Sequence, residues 1–202
     1  MISKAEKSPL EKYPVWDLAV RLNHWALVAV FLLSWWSAEY DYQDVHILSG
    51  YIILALVLVR LYWGFIGSTT ARFGSFVRGP RAIFSYAGDV LKRPGVASVG
   101  HNPMGALSVI VMLGLLLLQP ILGLFSRDID GLHSGPLSHL VGYSAGRLVA
   151  DLHHLVFDLL LIFVALHLMA IAFYIFYKRD NIISAMVSGT KLLPRGSRDK
   201  LN

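Results

Sequence analysis

Four long apolar runs divide the chain, covering roughly Leu22–Ala38, His46–Gly67, Met104–Phe125 and Leu152–Tyr174. Each is near the length of about 20 residues with which a helix crosses a hydrocarbon core. None alternates with the period of a barrel strand. Lipid offers no partner to an open backbone group, so helices are the spanning structure this pattern permits. The expected architecture is an all-α membrane protein. It is one domain over residues 1–202, a four-helix transmembrane bundle threaded up-down-up-down.

Two connections carry patterns of their own. In the link from Ser68 to Pro103, the residues Ile83, Phe84, Ala87, Val90 and Leu91 recur at helical spacing within Arg81–Arg93, flanked by basic residues. This predicts a short amphipathic helix lying in the membrane interface between the second and third spans. Gly79-Pro80 precedes it and Pro94-Gly95 ends it. The link from about Ser126 to Ala150 holds Gly131, Gly135, Pro136 and Gly142. It is long for a plain connection, so it is expected to fold over the bundle or to receive a partner.

Charge orients the bundle. Lys4, Lys7, Lys12 and Arg21 precede the first span. Arg72, Arg78, Arg81, Lys92 and Arg93 follow the second, and six more cations follow the fourth, from Lys178 to Lys200. The other side has Arg127 and Arg147, and its first link is acidic, with Glu39, Asp41 and Asp44. The asymmetry places both termini in the cytoplasm. The net charge of +5 then reflects topology and anionic lipid rather than nucleic acid. An apolar content of 55% and a mean hydropathy of +0.57 agree with a membrane protein. The mixed polar start lacks the pattern of a cleavable signal, so the first span is expected to stay. With no cysteine, disulfides, thiolate-bound zinc, iron–sulfur clusters and thioether-linked haem are excluded.

Histidines supply the candidate chemistry. His24 lies near the start of the first span, His46 at the start of the second, and His153 and His167 on the fourth. Ionisable groups inside a membrane are functional by default. The helical rise separates His153 from His167 by about 21 Å, and their spacing falls about 40° short of four full turns, so they share one face. Antiparallel threading brings His24 level with His167, and His46 level with His153. Two pairs at two depths predict two metal centres, most simply two bis-histidine haems. Two imidazoles fill both axial positions of the iron and favour electron transfer over oxygen binding. His154 points about 100° away, so His153 is the expected ligand of that adjacent pair.

Other polar residues in the spans have competing readings. His154 and Asp158 are four apart and within reach of one another. The structural reading pairs them, and the functional one gives them a part in quinone protonation. Arg60 shares the face of His46 at the inner depth, where its guanidinium either holds a haem propionate or snorkels to the cytoplasmic interface. Gly50, one turn after His46, either lets a flat macrocycle approach or serves a helix contact. His101, His133 and His139 read as loop residues. Trp16, Trp25, Trp35, Trp36 and Trp63 read as an aromatic belt. Gln119, Asp158 and the region of His101 are polar candidates for a quinone site.

Ordered motifs along most of the chain, from about residue 13 to 190, resemble the bacterial cytochrome b561 family, which includes the b-type cytochrome subunits of nickel–iron hydrogenases. They are Val15-Trp16-Asp17 through Arg21-Leu22-Asn23-His24-Trp25, His46 with Gly50-Tyr51, and Arg60-Leu61-Tyr62-Trp63-Gly64. Arg72-Phe73 through Phe76-Val77-Arg78-Gly79-Pro80 and Gly100-His101-Asn102-Pro103 follow. Leu152-His153, Ala165-Leu166-His167 and Arg179-Asp180-Asn181 complete the set. The resemblance implies a four-helix di-haem b cytochrome of the bacterial inner membrane. It would exchange electrons between the quinone pool and a partner, with His24, His46, His153 and His167 at the positions of the haem ligands. Family members often carry an acidic residue where this chain has His154. The leading expectation is an electron carrier between quinone and a periplasmic redox protein, such as a cytochrome c or a hydrogenase-like partner. A superoxide:quinone oxidoreductase ranks below it, because an anionic substrate needs a cationic funnel and the outer side offers only Arg127 and Arg147. A haem-free anchor or small transporter leaves the matched histidine depths unexplained.

Overall fold

The computed structural model describes residues 10–89, 102–129 and 133–194. Strand β1 (Leu10–Pro14) leads into four long helices, α1 (Leu18–Glu39), α2 (Gln43–Ile66), α5 (Pro103–Phe125) and α6 (Tyr143–Phe173). Helices α3 (Phe73–Phe76) and α4 (Pro80–Asp89) lie between α2 and α5, and α7 (Ile182–Ser188) and strand β2 (Thr190–Pro194) close the described chain. All four long helices are apolar enough to cross a membrane.

Helix α1 is started by Asp17, whose carboxylate accepts the backbone N–H of Val20 at 2.8 Å. Such a cap satisfies one of the orphan donors of a first turn. Asn102 caps α5 in the same way through the N–H of Gly105, with Pro103 pre-set for the first turn. Helices α1 and α2 are joined by three residues, and Asp41 turns the chain at φ 64°, where Asp is tolerated better than most side chains.

Packing runs α1 on α2, α2 on α5 and α5 on α6. Leu27, Ile53 and Val57 form the buried seam, with Leu116 and Leu117 against it. Small and polar residues bring α1 close to α2. Ser34, Ser37 and Ser49 are buried, and the Asn23 side chain donates to the carbonyl of Leu56 at 2.8 Å. Interhelical bonds of this kind serve where lipid provides no hydrophobic drive between helices. Large apolar side chains such as Leu22, Leu58, Phe65 and Leu168 face outward.

Several boundaries differ from expectation. Helix α6 begins at Tyr143, nine residues before the expected span, because helical structure continues past the end of the apolar run. The link between α5 and α6 is correspondingly short. It folds onto the end of α5, with Gly135 N–H donating to Ser126 O and Leu137 N–H to Leu124 O, both at 2.8 Å. A Cβ at Gly135 would stand 2.1 Å from Gly123 O, so this close approach requires glycine. Helix α4 falls within the stretch expected to be helical, and Val90, Leu91 and the Pro94-Gly95 stop lie outside the described residues. So do Gly131, His101, Lys4, Lys7, Lys92, Arg93 and the cations beyond Pro194. Tyr86 of α4 meets Tyr174 hydroxyl to hydroxyl at 2.5 Å, and Asn102 donates to the same Tyr174 at 2.7 Å.

A small ribbon was not expected. Strands β1 and β2 pair antiparallel, Leu10 opposite Pro194 and Pro14 opposite Thr190. Val15 and Leu193 are buried beside them, with Tyr13 and Trp16 packed around. Gly189 ends α7 at φ 81°, and its carbonyl accepts from Val15 and Trp16.

Candidate functional site

The structure brings His46 of α2 and His153 of α6 together edge-on, with ring centres 6.2 Å apart and planes at 89°. Each ring is held from behind by a backbone carbonyl. His46 Nδ1 lies 3.0 Å from Ser34 O, and His153 Nδ1 lies 2.9 Å from Gln119 O. A carbonyl can only accept, so both Nδ1 atoms carry the proton and both Nε2 atoms present a lone pair. Metal-bound histidines are typically oriented by such a bond. Two metal–imidazole bonds of about 2 Å separate ring centres by roughly 6 Å, which agrees with the separation found.

Helix α5 contributes no histidine here but shapes the seat. Pro120 is buried within it, and a Cβ at Gly123 would stand 3.0 Å from His153 Cε1. The Gln119 carboxamide nitrogen lies 3.2 Å from His153 Nε2 and donates to its lone pair, while Gln119 Oε1 is buried without a partner. A buried polar group left unpaired is costly, and the bond from its nitrogen to His153 offsets part of that cost. The residues around the pair line a cavity of about 540 Å³, including Trp35, Gly50 and Phe157. A Cβ at Gly50 would meet nothing within 4 Å. Gly50 therefore borders open space beside His46 and serves no tight helix contact there.

The second pair is placed by α1 and α6. His24 lies close enough to His167 for the imidazoles to interact electrostatically. His24 Nδ1 is buried without a hydrogen-bond partner, and its ring packs edge-on against Trp25 at 5.1 Å.

Arg60 is buried, with 7% exposure. Its Nη2 donates to Ala71 O at 3.3 Å, its guanidinium lies over the Phe73 ring at 5.2 Å, and its Nη1 is buried and unpartnered. Nearby, Asp17 accepts from Trp63 Nε1 at 3.0 Å and Ser68 Oγ at 2.5 Å. Burial raises the Asp17 carboxyl. The bonds from Ser68, Trp63 and Val20, with the charge of Arg60, outweigh it and hold the group below its ordinary value.

His154 and Asp158 are both exposed on α6. No hydrogen bond or ion pair joins them among the described residues, so the expected pair does not form. Their spacing permits contact, but both side chains point away from the packed face. His154 borders the cavity and its ring lies 6.1 Å from that of His153. His133 lies in the link between α5 and α6, as expected. Its Nε2 lies 3.0 Å from Asp41 Oδ1 and its Nδ1 3.6 Å from Asp128 Oδ2. His139 sits in the short turn Ser138–Leu140. Sequence reasoning missed Ser34, Asp17, Gly123 and the double contact of Gln119 with His153. The available signal was the Gln119-Pro120 pair, a polar residue and a helix breaker inside a span.

The residues present fit haem. The donors are nitrogen alone and come as facing pairs. No group of three or more His, Cys, Asp or Glu suited to a metal ion occurs among the described residues, as a tetrahedral zinc site would need. An open cavity adjoins the pair His46 and His153, and an orphaned imidazole nitrogen marks His24 of the other pair.

The profile of the prokaryotic cytochrome b561 family matches residues 15–189. A curated relative, a probable Ni/Fe-hydrogenase B-type cytochrome subunit of Rhizobium leguminosarum bv. viciae, is 26% identical over 161 residues, covering 73% of this chain and 67% of its own. No solved structure matches the chain. The chain belongs to the prokaryotic cytochrome b561 family and is a multi-pass membrane cytochrome of b type.

Proposed function

We propose that the chain holds two haem b groups, an outer one between His46 and His153 and an inner one between His24 and His167. It would carry electrons between the quinone pool and a redox protein on the outer side. The observation that carries this reading is the approach of His46 and His153, ring centres 6.2 Å apart, each fixed by a backbone carbonyl at Nδ1 so that Nε2 is left as the lone-pair donor. Bound haem supplies a one-electron couple. His46, His153, His24 and His167 would hold the two groups, and two imidazoles on each iron would favour electron transfer over oxygen binding. Gly50 leaves room beside His46, and the unpaired Arg60 Nη1 supports a propionate contact at the inner level.

The rest of the reading follows from the cation asymmetry and the resemblance. The bundle threads up-down-up-down through the bacterial inner membrane as one unit over residues 1–202, both termini cytoplasmic, with α4 in the interface. The name of the Rhizobium relative supports a hydrogenase-like partner; a cytochrome c is the other class. A superoxide:quinone oxidoreductase is disfavoured by Glu39, Asp41, Asp128 and Asp151 around the outer cavity, since acids repel an anionic substrate.

Haem extraction and the reduced spectrum of purified protein test the proposal. Two b-type haems per chain, reduced by added quinol, are expected. A stable colourless protein would defeat it and favour a haem-free anchor or transporter.

A further inference from the structure

The outer cavity holds a cation that the histidine pair does not use. Among the side chains lining it, Glu39, Asp41, Asp128 and Asp151 are acids, and Arg147 stands alone as a cation. Arg147 lies on α6, six residues before His153 and about 9 Å from it along the axis. Its ion-pair neighbour is Asp128, with Nη1 to Oδ1 at 3.9 Å, too long for a hydrogen bond. Asp128 is itself shared with His133, which holds Asp41 more closely. The five-donor fork of Arg147 therefore has no close acceptor, although it borders a cavity rimmed by carboxylates.

We propose that Arg147 receives a carboxylate of the molecule seated in this cavity, namely a propionate of the haem held by His46 and His153. The inference rests on the two-haem reading above. Arginine matches a carboxylate with two parallel bonds. A propionate entering among four acids meets repulsion from each, and Arg147 is the lining group able to offset it. Arg127, the other outer cation, is a natural control. It does not border the cavity and lies over the Tyr143 ring at 5.6 Å.

The test uses the full-length holoprotein and measures haem transfer to excess apomyoglobin, with resonance Raman of the propionate bending modes. Arg147→Gln is expected to release one of the two haems roughly tenfold faster, the loss that goes with one charged hydrogen bond, and to shift that haem's propionate mode. The second haem leaves at the wild-type rate. Arg147→Lys falls between, and Arg127→Gln changes neither readout. Wild-type protein reconstituted with haem dimethyl ester, which lacks the carboxylates, releases the outer group as fast as Arg147→Gln does with ordinary haem. If the variant folds poorly, the comparison is between the ester and ordinary haem in wild-type protein, where the ester is expected to leave faster and an equal rate overturns the inference. This comparison also separates a propionate from a free carboxylate, which esterified haem would leave in place. Unchanged release and Raman modes in Arg147→Gln, or an equal effect from Arg127→Gln, overturns the inference. His153→Ala separates the two levels. If it retains both haems, the ligand reading fails; if it loses one while Arg147→Gln changes nothing, only the role of Arg147 fails.

Discussion

His153 is seated against helix α5 by its Nδ1, 2.9 Å from the carbonyl of Gln119, whereas the adjacent His154 is exposed and makes no hydrogen bond among the described residues. One residue of helical rotation separates a fixed imidazole from a free one. If the chain holds two haems as proposed, His153→Ala is expected to lower the count to one, and His154→Ala to leave it unchanged. Pyridine haemochrome assays of the purified variants decide this, and the opposite pattern would exchange the two assignments.

Gly50 gives a test that separates folding from cofactor binding. An added Cβ meets no protein atom within 4 Å, so Gly50→Leu enters open space. Replacing a helical glycine favours the helix by up to about 1 kcal/mol. The variant is expected to keep or raise the Tm of the haem-free chain in detergent while losing the outer haem. Retention of both haems would show that the macrocycle does not lie along this face.

Asp17 ties three elements together, as the cap of α1 and the acceptor for Trp63 and Ser68. Asp17→Ala should cost about 1–2 kcal/mol by loss of the cap alone. The pH dependence has a definite sign. A carboxyl held below its ordinary value stabilises the fold above the unfolded pKa of about 3.9 and loses that contribution as pH falls through the folded value. Melting curves in detergent should therefore show wild type losing its advantage over Asp17→Asn under strongly acid conditions. A constant difference between the two at all pH values would contradict the assignment.

The planes of His46 and His153 stand at 89°. If His46 and His153 hold a haem with their rings kept in this relation, the oxidised low-spin centre would give a highly anisotropic electron paramagnetic resonance signal. The signal that His46→Ala removes is expected to be of that type. A rhombic signal, the mark of parallel rings, would mean that the rings turn when the site is filled.

Much of this arrangement was legible because helical periodicity is rigid. The spacing of His153 and His167 fixes both rise and rotation, and the packing of α6 then sets which helices they face. The same reasoning places Gly50 near His46, and both border the same cavity. It failed for His154 and Asp158, since a spacing of four permits contact without compelling it when both side chains point outward. The carbonyls of Ser34 and Gln119 were invisible, because backbone acceptors carry no residue-type signal. The terminal ribbon was hidden for another reason. It joins segments far apart in sequence, and neither Leu10–Pro14 nor Thr190–Pro194 alternates cleanly enough to announce a strand.

That ribbon also sets how the molecule responds to mechanical load. Leu10 faces Pro194 at its open end, so tension applied through the two ends peels the strands one bond at a time instead of shearing them together. In single-molecule pulling the first rupture should be small and occur at low force, before any helix is drawn from the bilayer.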